Sequence, residues 1–173
     1  LPEPGTMGRD ALRSSDGTSE TTGLQLVVSP EVAALIRSHV EASYPEEAPG
    51  GLLGTVHGTT KIEVVHAIPA DNARAEERRR RYLIGPDDVL ALERQASAAG
   101  LQVVGYYHSH PDAPPDPSEF DREHAWPWYI YFIVSVVEGR TADVRAWRLS
   151  DDRAAFDAIE IEDRVFVTTG TEE

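Results

Sequence analysis

Residues 102–121 read QVVGYYHSHPDAPPDPSEFD and combine a strand pattern, a proline-rich loop and the start of a helix. The apolar and β-branched residues of Gln102–His110 predict a strand, and Pro111 predicts where it ends. Ser118 is typical of a helix N-cap, so a short helix is expected to run to about Ala125. This stretch therefore predicts a helix that follows the end of a strand after one loop.

Two histidines and an aspartate in this stretch form a candidate metal site. Side chains alternate along a strand, so His108 and His110 are expected on one face at its tip. Ser118 and Asp121 are three residues apart at the helix start and share one helical face, and the loop can bring Asp121 to the histidines. Two imidazoles and one carboxylate suit Zn²⁺ and leave a fourth position for water. The sequence therefore predicts one catalytic Zn²⁺ per chain.

Zinc-assisted hydrolysis also needs a carboxylate that takes and returns protons. The chain has 30 acidic residues, so composition alone does not identify this group. Glu46 and Glu47 are notable because they lie directly before a Gly-rich turn that leads into an apolar strand. On the residues alone, both remain candidates.

The pattern His108-x-His110, seven residues, then Ser118-x-x-Asp121 resembles the JAMM signature of the JAB1/MPN/Mov34 metalloprotease family at every required position. Upstream, residues 45–52 read PEEAPGGL and resemble that family's Pro-x-Glu-x-x-Gly-x-Leu motif, which singles out Glu47. The likeness covers about residues 24–162 and points to the compact bacterial branch. Pro49 stands where bacterial members often have Cys, a residue that is not a zinc ligand in the family pattern.

This resemblance implies an α/β fold of the MPN-like (cytidine-deaminase-like) type, a mixed sheet flanked by helices in a single domain. It implies a zinc-dependent metalloprotease or isopeptidase that cleaves after the C-terminal Gly-Gly of a ubiquitin-like or sulfur-carrier protein. His108, His110 and Asp121 would then hold zinc. Glu47 would move a proton from water to the leaving amine, and Ser118 would donate a hydrogen bond to the oxyanion. The partner's tail is expected to extend along a sheet edge.

Several of these residues also have a second interpretation. Because some members of the family lack the signature, the alternative function is a non-catalytic or partner-activated MPN interaction module. Ser118 can act only as a helix cap, and Asp121 only as an acidic residue in the first turn of a helix. His124, Glu123 and Asp112 are expected at the surface. A group of aromatic residues is expected in the core rather than in a substrate platform: Trp126, Trp128, Tyr129, Tyr131 and Phe132.

The remaining pattern predicts a mixed α/β domain over residues 24–163, with a disordered tail over 1–23 and a flexible tail over 164–173. Apolar alternation and turn residues predict helices from Pro30 to about Tyr44 and from Pro86 to about Gly100. The expected strands besides Gln102–His110 are Leu24–Val28, the apolar part of 46–56 after its Gly-rich turn, Lys61–Ile68, Arg81–Ile84, Tyr129–Val137, Asp143–Ser150 and Phe156–Asp163.

Composition excludes several classes of function for the 173-residue chain. It contains no Cys, which excludes cysteine-ligated metal sites, and its formal net charge of −14 disfavours nucleic acid and anionic membranes. The run Arg78–Arg81 is expected to be a solvated face beside acidic neighbours, with guidance of a substrate tail as an alternative. No apolar run approaches the ~20 residues of a membrane span. A cytoplasmic location is expected, and the oligomeric state is left open, with a homodimer as one option.

Overall fold

The structure is a computed structural model that describes residues 23–72, 84–162 and 165–166. The predicted N-terminal tail, apart from Gly23, and the run Arg78–Arg81 lie outside the described residues. So does the predicted strand over Arg81–Ile84, except for Ile84 itself, which is not in a strand.

The described part of the chain forms a seven-stranded mixed sheet with three helices. The sheet order is β1-β3-β2-β4-β5-β6-β7, in which β1/β3 and β4/β5 are parallel pairs and the others are antiparallel. This arrangement confirms the predicted mixed α/β fold. In chain order the elements are β1 (Gln25–Val28), α1 (Pro30–Ser43), β2 (Pro49–His57), β3 (Lys61–Pro69), α2 (Pro86–Ala98), β4 (Gln102–Pro111), α3 (Glu119–His124), β5 (Ile130–Val137), β6 (Arg140–Leu149) and β7 (Phe156–Ile159).

The predicted start of β6 is three residues too late. Strand β6 begins at Arg140 rather than Asp143, because a two-residue turn connects it directly to β5. Glu138 and Gly139 form this turn with φ angles of 50° and 81°. Positive φ at both positions is typical of the hairpin turns whose twist matches that of the strands.

The two outer strands of the sheet approach each other. Strand β7 ends at Ile159, and the expected continuation to Asp163 is replaced by a bridge from Ile161 to Leu26 in β1. The chain beyond β7 therefore lies against β1 instead of extending the β6 pairing. The sheet curves around the main core in this way.

Helix α1 fills the main core. The hydroxyl of Ser29 accepts a hydrogen bond from the N–H of Val32 at 3.2 Å, and Pro30 occupies the first turn, so the helix start follows ordinary capping rules. Its apolar face is buried against the sheet. Val165 and Phe166, which fall within the predicted C-terminal tail, pack against this same core.

The opposite face of the sheet is covered by α2 near β2 and β4. Leu92 and Ala96 of the helix contact Leu53 and Val103 in a second apolar cluster. Strand β4 is therefore covered on both sides of the sheet. No helix within the described ranges is long and apolar enough to cross a membrane.

The parallel β4–β5 pair positions the candidate site. Parallel neighbours need a crossover connection, and here that connection contains α3. The crossover returns the chain over the end of β4, where His108 and His110 lie. Asp121, in the first turn of α3, reaches them there.

Candidate metal centre

The side chains of His108, His110 and Asp121 meet at the end of β4. The two histidine Nε2 atoms are 3.1 Å apart, and they lie 3.2 and 3.3 Å from the carboxylate oxygens of Asp121. Ligands held 2.0–2.1 Å from one tetrahedral ion are themselves about 3.3 Å apart. The three side chains are 1–8% exposed. The donor set therefore fits a divalent transition ion, with room in the coordination shell for a further ligand.

Hydrogen bonds outside the group orient two of its members. The Nδ1 of His110 lies 2.8 Å from the carbonyl oxygen of Pro114, so it donates its proton there and leaves Nε2 as the ligand atom. The backbone N–H of Ser118 donates to Asp121 Oδ2 at 2.8 Å. Such outer contacts fix the tautomer and direction of metal ligands.

The loop between β4 and α3 is fastened to the sheet beneath it. The hydroxyl of Ser135 donates to the carbonyl of Ala113 at 2.7 Å, and the Trp147 indole donates to that of Pro115 at 3.0 Å. With the His110–Pro114 contact, the carbonyls of residues 113, 114 and 115 all accept hydrogen bonds from side chains of the sheet. The loop consequently holds α3 in place over the end of β4.

The group carries charges that suit a cation. Burial alone would raise the pKa of Asp121, but His108, His110 and the Ser118 N–H hold it well below its usual value. Burial lowers the pKa of His108 despite the nearby carboxylate. Burial would also lower the pKa of His110, but its bonds to Asp121 and Pro114 and the charges of Asp121 and Glu47 raise it. Asp121 is thus ionised, and His108 favours its neutral, ligating form.

Ser118 and Asp121 form a reciprocal capping box at the start of α3. The Ser118 hydroxyl oxygen accepts from the Asp121 N–H at 3.1 Å, while the Ser118 N–H donates to the Asp121 carboxylate. Ser118 is therefore a helix cap and Asp121 a first-turn acid, as the structural interpretation of each residue predicts. Both roles coexist with the placement of Asp121 beside the histidines. Since the hydroxyl of Ser118 accepts in the cap, its own hydrogen remains available to donate.

Glu47 is brought to the site by the pairing of β2 with β4. Pro49 pairs with His108, and the Ala48 N–H donates to the Ser109 hydroxyl at 2.9 Å. The Ser109 N–H in turn donates to the Ala48 carbonyl at 3.2 Å. Glu47 is only 5% exposed, whereas Glu46 is exposed. Burial thus distinguishes Glu47 from Glu46, the two carboxylates between which the residues alone did not decide.

Two depressions lie on elements that carry residues of the site. A polar cleft of about 560 Å³ lies between α1, the start of β2 and the residues after β3, and Glu47 is part of its wall. An aromatic groove of about 300 Å³ lies on the side of α3, and Tyr106, Phe120, Trp126 and Tyr129 are among its lining residues. The two depressions differ in character, one polar and one apolar.

The aromatic residues divide between core and surface. Phe132 and Tyr131 are buried, as predicted, but Trp126 and Trp128 are 50% and 61% exposed, so the core prediction is wrong for them. Their rings stack with centroids 5.0 Å apart, and the Arg153 guanidinium lies 5.2 Å from the Trp126 ring. The surface predictions are confirmed for three further residues, which are His124, Glu123 and Asp112.

Several contributing residues were not identified from the sequence. Ser109 lies between the two histidines in the motif, but nothing in its local pattern indicates a bond to Ala48. His39 and Tyr107 form a pair in which the His39 Nδ1 lies 2.7 Å from the Tyr107 hydroxyl. Asn72 donates to the Glu47 carbonyl at 3.3 Å. Each of these contacts joins residues that are distant along the chain.

The sequence model of one protein family, described as prokaryotic homologs of the JAB domain, matches residues 29–150. A desampylase from Haloferax volcanii is 34% identical over 116 residues, which span 66% of this chain and 83% of the relative. A CD-NTase/cGAS isopeptidase from Pseudomonas aeruginosa is 37% identical over 92 residues, spanning 50% and 56%. The solution structure of a protein from Salinibacter ruber aligns with a TM-score of 0.62 and 42% identity, covering 78% of this chain and 88% of that one.

Proposed function

The chain belongs to the prokaryotic JAB homologues, and from this premise we propose that it is a zinc-dependent isopeptidase. Its substrate in this proposal is the bond after the C-terminal Gly-Gly of a ubiquitin-like protein. The family predicted from the sequence is confirmed, as is the fold. The observation that carries the proposal is the convergence of His108, His110 and Asp121 beside a buried glutamate.

The relatives support the class of reaction. One is named a desampylase and another an isopeptidase, and these names favour an isopeptidase activity for this chain too. A ubiquitin-like partner is consistent with those names. A sulfur-carrier protein that ends in Gly-Gly is the other partner expected from the sequence.

In this proposal His108, His110 and Asp121 would hold the metal ion. Zinc, when bound, supplies Lewis acidity that makes a water molecule acidic enough to lose a proton near neutral pH. Such binding requires all three side chains in their deprotonated forms. The lowered pKa values of Asp121 and His108 favour this state, whereas His110, whose pKa is raised by its contacts with Asp121 and Pro114, must release its proton for the ion to bind. The Pro114 carbonyl keeps His110 in the tautomer that ligates through Nε2.

Glu47 would be the general base and then the general acid. Its carboxylate takes the proton of the attacking water and passes it to the nitrogen that leaves, which is the role such a reaction requires. Burial beside the histidines supports this assignment, since the charge of Glu47 acts on His110. The paired bonds between Ala48 and Ser109 hold its backbone against β4.

Ser118 would stabilise the oxyanion that forms at the carbonyl under attack. Its hydroxyl oxygen already accepts from the Asp121 N–H, so the hydroxyl hydrogen can be directed at a developing negative charge. The capping contact also limits the positions that this hydroxyl can adopt. Ser118 thus acts in the proposal as a preorganised donor.

We place the partner's C-terminal tail in the aromatic groove rather than along a sheet edge. Strand β4 pairs with β5 as far as Pro111 and with β2 as far as the Pro49–His108 pair, so only its last residues at the tip lack a ladder partner on the β2 side, which is a short edge for an added strand. Tyr106 lines the groove and lies two residues before His108 on the same face of β4, so the groove borders the strand that carries the histidines. The exposed, stacked rings of Trp126 and Trp128 offer apolar area at low entropic cost.

The proposal is tested with the full chain and a ubiquitin-like protein whose Gly-Gly terminus is joined to a lysine peptide. We expect about one zinc per chain by elemental analysis, and hydrolysis that stops when zinc is removed and returns when it is restored. His108→Ala should lose the metal. Glu47→Gln should keep the metal and lose turnover by about 10²-fold or more. Turnover that persists in Glu47→Gln contradicts the assigned base.

The same experiment distinguishes the proposed enzyme from the alternative function, an MPN interaction module. A non-catalytic MPN interaction module binds the partner without cleaving it, with or without zinc. A partner-activated module cleaves only when a further protein is added. A cytoplasmic location is also part of the proposal, and fractionation of the host cell tests it.

A further inference from the structure

Asp112 lies two residues after His110, in a backbone conformation that few residues adopt. Its φ is 53°, in the left-handed region where aspartate is found more often than most other residues. Its N–H donates to the carbonyl of Val136 at 2.7 Å, which ties the residue after β4 to β5. The backbone of Asp112 is therefore fixed relative to the strand that carries the histidines.

Both carboxylate oxygens of Asp112 accept a hydrogen bond, each from a different part of the fold. The hydroxyl of Tyr44, the residue that follows α1, donates to Oδ2 at 2.6 Å. The N–H of Glu138, in the turn between β5 and β6, donates to Oδ1 at 3.0 Å. Tyr44 also approaches this turn, since a Cβ added at Gly139 would lie 3.8 Å from its ring. One exposed side chain thus joins the end of β4 to α1 and to the β5–β6 turn.

Residues 44–48, here called the glutamate segment, are attached to the β4 region at both ends. At one end, the hydroxyl of Tyr44 donates to Asp112. At the other end, Ala48 and Ser109 exchange two hydrogen bonds, at 2.9 and 3.2 Å. The glutamate assigned as the base in the proposed function lies between these two attachments and directly before the second one.

We propose that Asp112 is a positioning residue that, through Tyr44, holds the glutamate segment beside the histidines. This inference rests on the proposed function, because it concerns the group that moves the proton there. A carboxylate that takes a proton from one atom and gives it to another must stay within hydrogen-bond reach of both. A single attachment lets the segment pivot, and the second attachment prevents this motion. The charge of Glu47 acts on His110, so the segment lies close enough for such control to matter.

A role for Asp112 in the turn alone makes different predictions. Aspartate is common in turns, and its bonds to Val136 and Glu138 would fasten the loop after β4 without any help from α1. The Tyr44 hydroxyl would then affect stability only, and lost activity would follow lost zinc or lost folded protein. Positioning instead lowers kcat at constant KM, zinc content and folded fraction, and it does so only while Glu47 is present.

The kinetic test uses the zinc-loaded full chain and a ubiquitin-like protein whose Gly-Gly terminus is joined to a lysine peptide. Tyr44→Phe keeps the ring and removes only the hydroxyl, whereas Asp112→Gly removes the carboxylate and still permits a positive φ. Each should lower kcat about fivefold at unchanged KM and zinc content, because small displacements of a catalytic group are costly. The double variant should be no slower than Asp112→Gly alone, since both changes remove one shared contact.

Two further variants show whether the effect passes through the glutamate. In a Glu47→Gln background, measured with enzyme in excess, adding Tyr44→Phe should leave the residual turnover unchanged. Glu138→Gly alters another acidic residue at positive φ and keeps its N–H, so kcat should stay within about twofold of the unmodified chain. A fivefold loss in the Glu47→Gln background, an equal loss in Glu138→Gly, or zinc lost in proportion to turnover overturns the inference.

Amide hydrogen exchange of the metal-free chain tests the attachment without turnover. Tyr44→Phe and Asp112→Gly should both accelerate exchange at Ala48 several-fold, while exchange at Ile36 inside α1 stays unchanged. Exchange at Glu138 should rise in Asp112→Gly alone, because only that variant removes its acceptor. Unchanged exchange at Ala48 in both variants overturns the inference.

Failure of the inference and failure of the proposed function give different results. If the unmodified chain cleaves the conjugate and Tyr44→Phe cleaves it with the same kcat, the inference is wrong and the proposed function stands. If the zinc-loaded unmodified chain does not cleave the conjugate, the proposed function is refuted and the inference falls with it.

Discussion

Ser109 provides a sharp test of how the fold positions the glutamate of the site. Its side chain has no exposed surface, and its hydroxyl accepts the Ala48 N–H at 2.9 Å. Ser109→Ala removes this acceptor and leaves a buried N–H without its partner. An unsatisfied buried donor costs about 1–3 kcal/mol, so we expect the free energy of unfolding to fall by that amount.

The same substitution should affect catalysis separately from metal binding. Glu47 precedes Ala48, so the loss of this bond loosens the backbone that carries the carboxylate. His108 and His110 keep their own contacts. We expect turnover to fall by about tenfold, because small misplacements of catalytic groups are costly, while zinc content stays at its original level.

Three measurements on the full chain check this expectation. Denaturant unfolding followed by the fluorescence of the three tryptophans gives stability, elemental analysis gives zinc content, and a ubiquitin-like conjugate gives turnover. Ser38→Ala, at an exposed position of α1, serves as the control and should change stability by less than about 0.5 kcal/mol. The reasoning is refuted if Ser109→Ala is no less stable than this control, or if it loses zinc in proportion to turnover.

Three further substitutions test other parts of the structure. Gly50→Ala places a Cβ into the ring of Tyr107, so it should lower the free energy of unfolding by about 1–3 kcal/mol in a denaturation experiment, and an unchanged midpoint contradicts the packing. Since burial lowers the pKa of His39 below 6.5, the unfolded chain binds its proton more readily, and stability should fall as pH drops below about 6.5. His39→Gln should reduce this fall: its free energy of unfolding should drop less between pH 7 and pH 5 than that of the unmodified chain. Trp126→Ala should raise KM several-fold at unchanged kcat and stability, whereas Val56→Ala, another exposed apolar site, should not.

The grouping of His108, His110 and Asp121 was predictable because the three residues are close together in the sequence. The histidines share a face through the period of a strand, and Asp121 follows through one short loop and a capping signal. Each step depends on local rules. The structure brings these three side chains together where those rules indicate.

The position of Glu47 could not be derived from local rules. Ala48, which follows Glu47, is bonded to Ser109, a residue 61 positions further along the chain. This contact exists only because β2 pairs with β4 in one register. Among 30 acidic residues, only the family resemblance separated Glu47 from Glu46. The long-range pairing of strands is the information that residue types alone do not contain.

The aromatic residues near α3 show a different limit. Hydrophobicity predicts average burial, and it placed Trp126 and Trp128 in the core together with Phe132. In the folded chain, Phe132 lies within β5, whereas both tryptophans lie in the connection before that strand and remain exposed. Burial here depends on whether the residue belongs to the strand or to the turn that precedes it, and that boundary is set by the fold.

Asp121 links the stability of α3 to the chemistry of the site. Its carboxylate accepts the N–H of Ser118 in the capping box and at the same time lies 3.2–3.3 Å from both histidine Nε2 atoms. The helix is only six residues long, so its position depends on this cap and on the anchored loop before it. The contacts that form the helix are therefore the contacts that orient the third member of the group. A substitution that weakens the cap should displace this carboxylate as well, so helix stability and metal affinity should change together along a series of variants at Ser118.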